Sequence, residues 1–208
     1  MTTPAKLRHV VILCHPDPHS FNAAVAAQYC AVVNQSGQSA VLRDLYAMKF
    51  DPVLHIEEQA GAAGSAPRPD VAHERALIAD AVVIVLVYPI WLGSAPAMLK
   101  GYIERVFGAD FALRGGHDRV AVAHLAGKHL LSFSSSGNSR VWLEEQGQWQ
   151  SLIHIFDRYL QRAFAMASAE HVYFPSITKR LSDRFFQQNM EDVRQAARKT
   201  CRIAASTR

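Results

Sequence analysis

Cysteine is scarce: the 208 residues hold three, Cys14, Cys30 and Cys201, with no CxxC or zinc-type spacing. That excludes a disulfide framework, and an odd, sparse count points to free thiols in a reducing compartment, hence the cytoplasm. Long apolar runs are also lacking. The stretches His9–Cys14 and Ala81–Tyr88 are too short to cross a bilayer, and no signal-type apolar region opens the chain, so no membrane insertion is expected. Charge of one sign is missing too. The formal net charge is +4 with Lys and Arg scattered, which argues against nucleic acid and leans weakly towards phosphate-bearing or anionic small molecules. There is no internal repeat and no low-complexity segment. One domain over residues 1–208 suffices for this length.

What is present is an alternation of β-branched runs with helical periodicity. His9–Cys14 reads as a strand buried on both faces. It leads into a helix over Phe21–Ser36, stopped at Gly37, with Val25, Tyr29, Val32 and Val33 on one face. Ala40–Leu45 is a second strand, and Pro52–Asp70, rich in Gly, Ala and Pro, is a long loop. A helix over Val71–Ala79 precedes Ala81–Tyr88, the strongest central-strand signal. From Leu99, apolar residues recur at Tyr102, Ile103, Val106 and Phe107, the spacing of an amphipathic helix. Lys128–Phe133 and Glu170–Phe174 are further strands. A long helix is predicted over Leu152–Met166, and Phe186, Met190, Val193 and Ala197 stripe a closing one. Strands alternating with helices predict an α/β, flavodoxin-like sheet of five parallel strands in the order 2-1-3-4-5, with helices on both faces.

In such a sheet, ligands bind beyond the carboxyl ends of the strands where strand order reverses. Three loops reach that edge. The first, His15–Asn22, contains no glycine, so the GxGxxG dinucleotide fingerprint is absent. It offers imidazole, hydroxyl and free backbone donors at a helix N-terminus, through His15, Ser20, Phe21 and Asn22, that suit a phosphate. N-capping by Ser20 or Asn22 is the plainer account of this loop taken alone. The second loop holds Pro89, Ile90, Trp91, Leu92 and Gly93, a stiff apolar shelf suited to a flat heteroaromatic ring. A structural turn with Trp91 as filler explains it equally well. The third holds Ser134, Ser135, Ser136 and Gly137, donors for the polar edge of such a ring, or simply an ordinary turn. All three at one predicted crevice favour a ligand. His117, His124 and His129 show no HxxxH or HExxH helical spacing, so no metal is expected, and no GxSxG elbow supports a serine hydrolase.

Four segments carry a resemblance: His15–Asn22 in the pattern H-x5-F-N, Arg43–Pro52, Tyr88–Phe107 and the serine loop. Together they resemble the NAD(P)H dehydrogenase (quinone) family, the DT-diaphorase-like branch of flavodoxin-like oxidoreductases. The resemblance implies a homodimer with non-covalent flavin, FAD or FMN, at the subunit interface. NAD(P)H would be the electron donor and a quinone-type small molecule the acceptor, in ping-pong hydride transfer. It places His15, Phe21 and Asn22 at the flavin's phosphate side, Pro89–Gly93 along the ring and Ser134–Gly137 at its polar edge. Departures are clear. The stretch Gly108–Arg114 lacks the tyrosines of the animal enzymes, and the family's Tyr/His pair has no counterpart that can be aligned after Ser139. No catalytic side chain is therefore assigned. Asp44 reads as a loop anchor in place of a ribose-binding acid. A flavin-binding ancillary subunit of a potassium efflux system is the alternative function, since some family members act so.

Overall fold

The computed structural model describes residues 6–58, 66–108 and 124–206. Its sheet has five strands, all parallel, in the order β2-β1-β3-β4-β5. These are β1 (Arg8–Leu13), β2 (Ser39–Asp44), β3 (Val83–Pro89), β4 (His129–Ser135) and β5 (Ser168–Phe174). The predicted order holds for the expected reason: each crossover carries a helix long enough to bring the chain back to the same edge. β3 and β4 are buried along their whole length, as central strands covered on both faces must be.

Two apolar layers flank the sheet. On one face, α1 (Phe21–Gln35) and the closing helix α7 (Asp183–Ser206) pack against Val11, Val85 and Phe133, with Val25, Tyr29, Val193 and Ala197 inward. On the other, α2 (Pro69–Ala79) and α3 (Ala97–Val106) pack against Ile12, Ile84 and Leu86 through Val71, Ile78, Leu99 and Tyr102. Strand residues two apart share a layer, which follows from the period of the pleat.

The long helix expected over Leu152–Met166 is not continuous. A short α4 (Arg140–Glu145) precedes α5 (Gln148–Leu152), a π-helical stretch Ile153–Arg158, and α6 (Tyr159–Ala163). The buried side of the π-helical stretch carries the consecutive residues Phe156 and Asp157. The run ends before Met166 because Ala165 takes φ 49° while the Met166 N–H donates back to the Gln161 carbonyl, 2.9 Å. That closure normally announces itself by glycine, and here alanine fills the left-handed position, so the sequence carried no stop signal. Within Pro52–Asp70, a 3-10 turn spans Ile56–Glu58 and α2 already begins at Pro69.

Two of the segments that carry the family resemblance prove to be one packing unit. A Cβ on Gly101 would lie 2.2 Å from the Pro52 carbonyl oxygen, so the bare backbone of α3 admits the end of the Arg43–Pro52 segment. Arg105, four residues on, is fully buried and ties three stretches together. Its Nε and Nη2 donate to Glu58 at 2.8 and 2.9 Å, its Nη1 to Asp70 at 2.9 Å and to the Asp51 carbonyl at 2.5 Å. Arg43 is paired with buried Glu74, which also accepts from the Tyr102 hydroxyl at 2.9 Å. Asp44 anchors its loop as expected, its Oδ1 accepting from the N–H groups of Tyr46 and Ala47 at 3.1 Å each.

Candidate functional site

The three loops beyond the carboxyl ends of β1, β3 and β4 meet. Asn22, buried on the first turn of α1, and Ser135, at the end of β4, are joined side chain to side chain: Nδ2 donates to Oγ at 3.0 Å, and Oγ lies 3.2 Å from Oδ1. The Ile90 N–H donates to the Ser135 carbonyl at 2.7 Å, binding the second loop to the third. The rings of His15 and Trp91 lie 5.7 Å apart, closing the first loop on the second. Trp91 is 42% exposed, so its indole walls open space instead of filling the core.

Each loop offers something specific. Ser20 is the N-cap of α1, its Oγ accepting from the Ala23 N–H at 3.2 Å, so the capping role is real. It leaves the N–H groups of Phe21 and Asn22 without an acceptor among the described residues, on a helix with no acidic side chain in its first turn. A phosphate suits that field. The Phe21 ring points elsewhere, packed edge-on between Phe174 and Phe186 at 5.2 and 6.2 Å. Trp91 and Ser94 exchange backbone hydrogen bonds of 2.9 and 3.1 Å around Leu92 and Gly93, both in the left-handed region at φ 51° and 79°. Leu92 thus stands fully exposed at the tip of a tight turn, in a conformation that costs a leucine ~1 kcal/mol or more. A hollow of about 160 Å³ runs from Gly93–Ala95 to Leu152, Ile155 and Phe156.

The serine loop differs most from the picture its composition suggests. The Ser134 hydroxyl is fully buried against His171, Oγ to Nε2 2.6 Å. Ser135 is committed to Asn22, and the Ser136 hydroxyl meets that of Tyr173 at 2.7 Å. What remains open at the crevice is the exposed backbone of Gly137, beside which a Cβ would meet only the Ile177 carbonyl at 3.9 Å.

Sequence reasoning missed Asp157, His171 and Tyr173, and left Trp149 unaligned among the residues after Ser139. Asp157 Oδ2 meets His171 Nδ1 at 2.6 Å and Asp157 Oδ1 accepts from the Ser132 hydroxyl at 2.5 Å. Trp149 stands edge-on to His171 and leans on Tyr173, at 5.2 and 5.1 Å. One signal was available: Ser132, Ser134 and Ser136 recur at every second position from β4 into the loop after it, and His171 and Tyr173 alternate along its neighbour. The segment 109–114 and His117 lie outside the described residues. Among the described residues no group of side chains has metal-ligand geometry, and no helix is long and apolar enough to cross a membrane.

A family model described as a flavodoxin-like fold matches residues 8–201. An uncharacterized NAD(P)H oxidoreductase of Haemophilus influenzae is 34% identical over 149 residues, 71% of this chain and 73% of that protein. NAD(P)H dehydrogenase [quinone] 1 of Cavia porcellus is 32% identical over 122 residues, 50% of this chain and 44% of its own length. The FMN-dependent NADH-azoreductase of Bacillus anthracis, solved in complex with FMN, shares the fold at a TM-score of 0.66. It is 16% identical, over 94% of this chain and 99% of its own.

Proposed function

The chain belongs to the flavodoxin-like fold family, and from that premise we propose that it is a flavin-dependent NAD(P)H oxidoreductase acting on a quinone-type acceptor. One observation carries the reading: the three loops converge at the strand-order reversal, joined by Asn22–Ser135, Ile90–Ser135 and His15–Trp91. A flavin fits the residues there. The unpaired N–H groups of Phe21 and Asn22, with His15 beside them, would hold its phosphate. Pro89–Gly93 would border the ring, and the serine loop, chiefly at Gly137, would meet its polar edge. The azoreductase of the same fold holds FMN, the Haemophilus relative is named for NAD(P)H and the guinea-pig relative for quinone.

When bound, the flavin supplies the hydride-accepting and hydride-donating centre. The chain's contribution is to clamp the phosphate, keep Trp91 and Leu92 as an apolar wall, and leave one face open for donor and acceptor in turn. That alternation is ping-pong kinetics. A homodimer is part of the proposal. Exposed Ile155 and Tyr159 border a hollow of about 320 Å³ with Leu54, Ile103 and Phe107, an apolar face that a second copy would cover. Three free cysteines suit a reducing cytoplasm.

The test is direct. Protein purified, denatured and analysed for released cofactor should yield FMN or FAD, and the loaded protein should oxidise NAD(P)H with a soluble quinone along parallel-line kinetics. Colourless protein that takes up neither flavin overturns the proposal.

A further inference from the structure

Beneath the proposed ring site lies a buried polar chain that packing alone does not require. Ser132 and Ser134 of β4 and His171 and Tyr173 of β5 share one face of the sheet, the face that otherwise holds Ile84, Leu86 and Leu130. On it the Ser132 hydroxyl donates to Asp157 Oδ1 at 2.5 Å, Asp157 Oδ2 accepts from His171 Nδ1 at 2.6 Å, and His171 Nε2 lies 2.6 Å from Ser134 Oγ. The imidazole and carboxylate side chains are 5% and 3% exposed. Asp157 is delivered by the π-helical stretch. Such stretches recur at functional sites.

Hydrogen-bond arithmetic gives this chain two states. With His171 neutral, Nδ1–H donates to Asp157, so Nε2 must accept from the Ser134 hydroxyl. The buried pair then carries one net negative charge. With His171 protonated, Nε2–H donates to Ser134 Oγ, the pair is neutral overall, and the Ser134 proton must turn to another acceptor. One proton on the imidazole therefore changes the charge under the crevice by one unit and reverses a hydrogen bond at the residue preceding Ser135. Among the described residues the groups around the ring are few. Besides Asp157 they are the Tyr88 hydroxyl of β3, whose ring is edge-on to His171 at 6.4 Å, and Tyr173 of the same strand; Trp149 of α5 covers the imidazole, with Arg140 of α4 over its indole at 5.1 Å. Tyr88 Oη is buried with no hydrogen-bond partner among the described residues. Burial, then the Asp157 charge, holds that phenol well above the usual range, so it stays neutral.

We propose that His171, oriented by Asp157, is a positioning residue that takes up a proton when negative charge arises in the crevice, with Ser134 reversing its hydrogen bond to follow. The inference rests on the reading of the crevice as a flavin site. The balance is explicit. A hydride carries two electrons and one proton from NAD(P)H into the crevice and leaves one excess negative charge there. Water supplies one further proton to His171. When the hydride passes on to a quinone, the acceptor gains that negative charge and a proton from solvent, and His171 returns its own proton to water.

The test uses FMN as probe and the whole chain. Nitrogen-15 NMR of the histidine rings, with His171 assigned by sequential backbone and side-chain correlations, is recorded on the FMN-loaded protein before and after anaerobic reduction with dithionite at neutral pH. The expected result is a neutral His171 bearing its proton on Nδ1 in the oxidised sample and a doubly protonated ring after reduction. His171→Gln should bind oxidised FMN as the parent does while its preference for reduced over oxidised FMN falls about tenfold, a shift of about 30 mV for a two-electron couple. Ser134→Ala, which keeps the imidazole, should retain the protonation change. A ring whose protonation is the same in both redox states overturns the proposal even where His171→Gln fails to fold. Failure of the parent protein to take up FMN or FAD sinks the flavin reading itself, an outcome separate from the first.

Discussion

Replacing Arg105 by methionine tests the idea that buried charge, not only apolar packing, holds the site-bearing half of this sheet in register. The guanidinium and the Glu58 carboxylate are both without solvent exposure, whereas Asp70, the second partner, is 45% exposed. The two ion pairs are therefore unequal. Asp70 recovers hydration when Arg105 is lost, and its share is within ~1 kcal/mol. Glu58 recovers nothing. Burial opposes its charge, but hydrogen bonds from Arg105 and the His55 N–H outweigh that and keep its carboxyl below the usual range. Stranding such a carboxylate costs ~3–5 kcal/mol, against a total stability of ~5–15 kcal/mol. With urea m-values of ~1–3 kcal/mol/M, Arg105→Met should lower the unfolding midpoint by at least ~1 M at pH 7.5. The double variant Arg105→Met, Glu58→Leu should regain ~2 kcal/mol or more, because no charge is left unpaired. Equilibrium urea unfolding of the four proteins of that cycle gives the coupling. A single-variant loss below ~1 kcal/mol, or strict additivity in the double, refutes the reasoning.

Two further outcomes follow from the same face and from the opposite end of the sheet. Gly101→Ala drives a methyl into the Pro52 carbonyl, at 2.2 Å before relaxation, so it should destabilise by ~1–3 kcal/mol although alanine favours helix; a neutral or stabilising effect in thermal unfolding contradicts the close approach. His9 is buried with Nε2 2.6 Å from Gln38 Oε1, which fixes that nitrogen as donor and leaves Nδ1 to accept from the Tyr29 hydroxyl at 2.8 Å. Burial, partly offset by Gln38, lowers its pKa, so as pH falls through ~6.5 the unfolded chain binds a proton that the folded His9 refuses, and stability drops by up to ~1.4 kcal/mol per pH unit. His9→Gln should flatten the slope of melting temperature against pH between ~7 and 5, and an unchanged slope assigns the acid sensitivity elsewhere.

The fold was legible because its signal is repeated. Val83–Pro89 and the Leu99–Phe107 stripe each announce their element, and parallel pairing follows from the alternation without reference to any one residue. The site was legible to the level of loops but not of side chains, and the serines show why. Composition presents Ser134, Ser135 and Ser136 as three equivalent hydroxyls, yet the pleat sends Ser134 and Ser136 to one layer and Ser135 to the other, where His171, Tyr173 and Asn22 respectively claim them. A loop reading made at the end of a strand has to carry the strand's period into the loop.

The specificity of the resemblance has a similar resolution. The Arg43–Pro52 and Pro96–Phe107 wording looks like a binding signature, but Gly101, Arg105 and Tyr102 spend it on one another's segments, through Pro52, Asp51 and Glu74. Those residues specify how α3 seats against the loop after β2, and thereby where β3 ends and Trp91 begins. Family-like wording in this chain therefore identifies the scaffold, while the buried Asp157–His171 pair beneath the crevice carries no such wording. Aiming the loops and setting the charge beneath them thus fall to different residues of this chain, as a fold that does not by itself fix function allows.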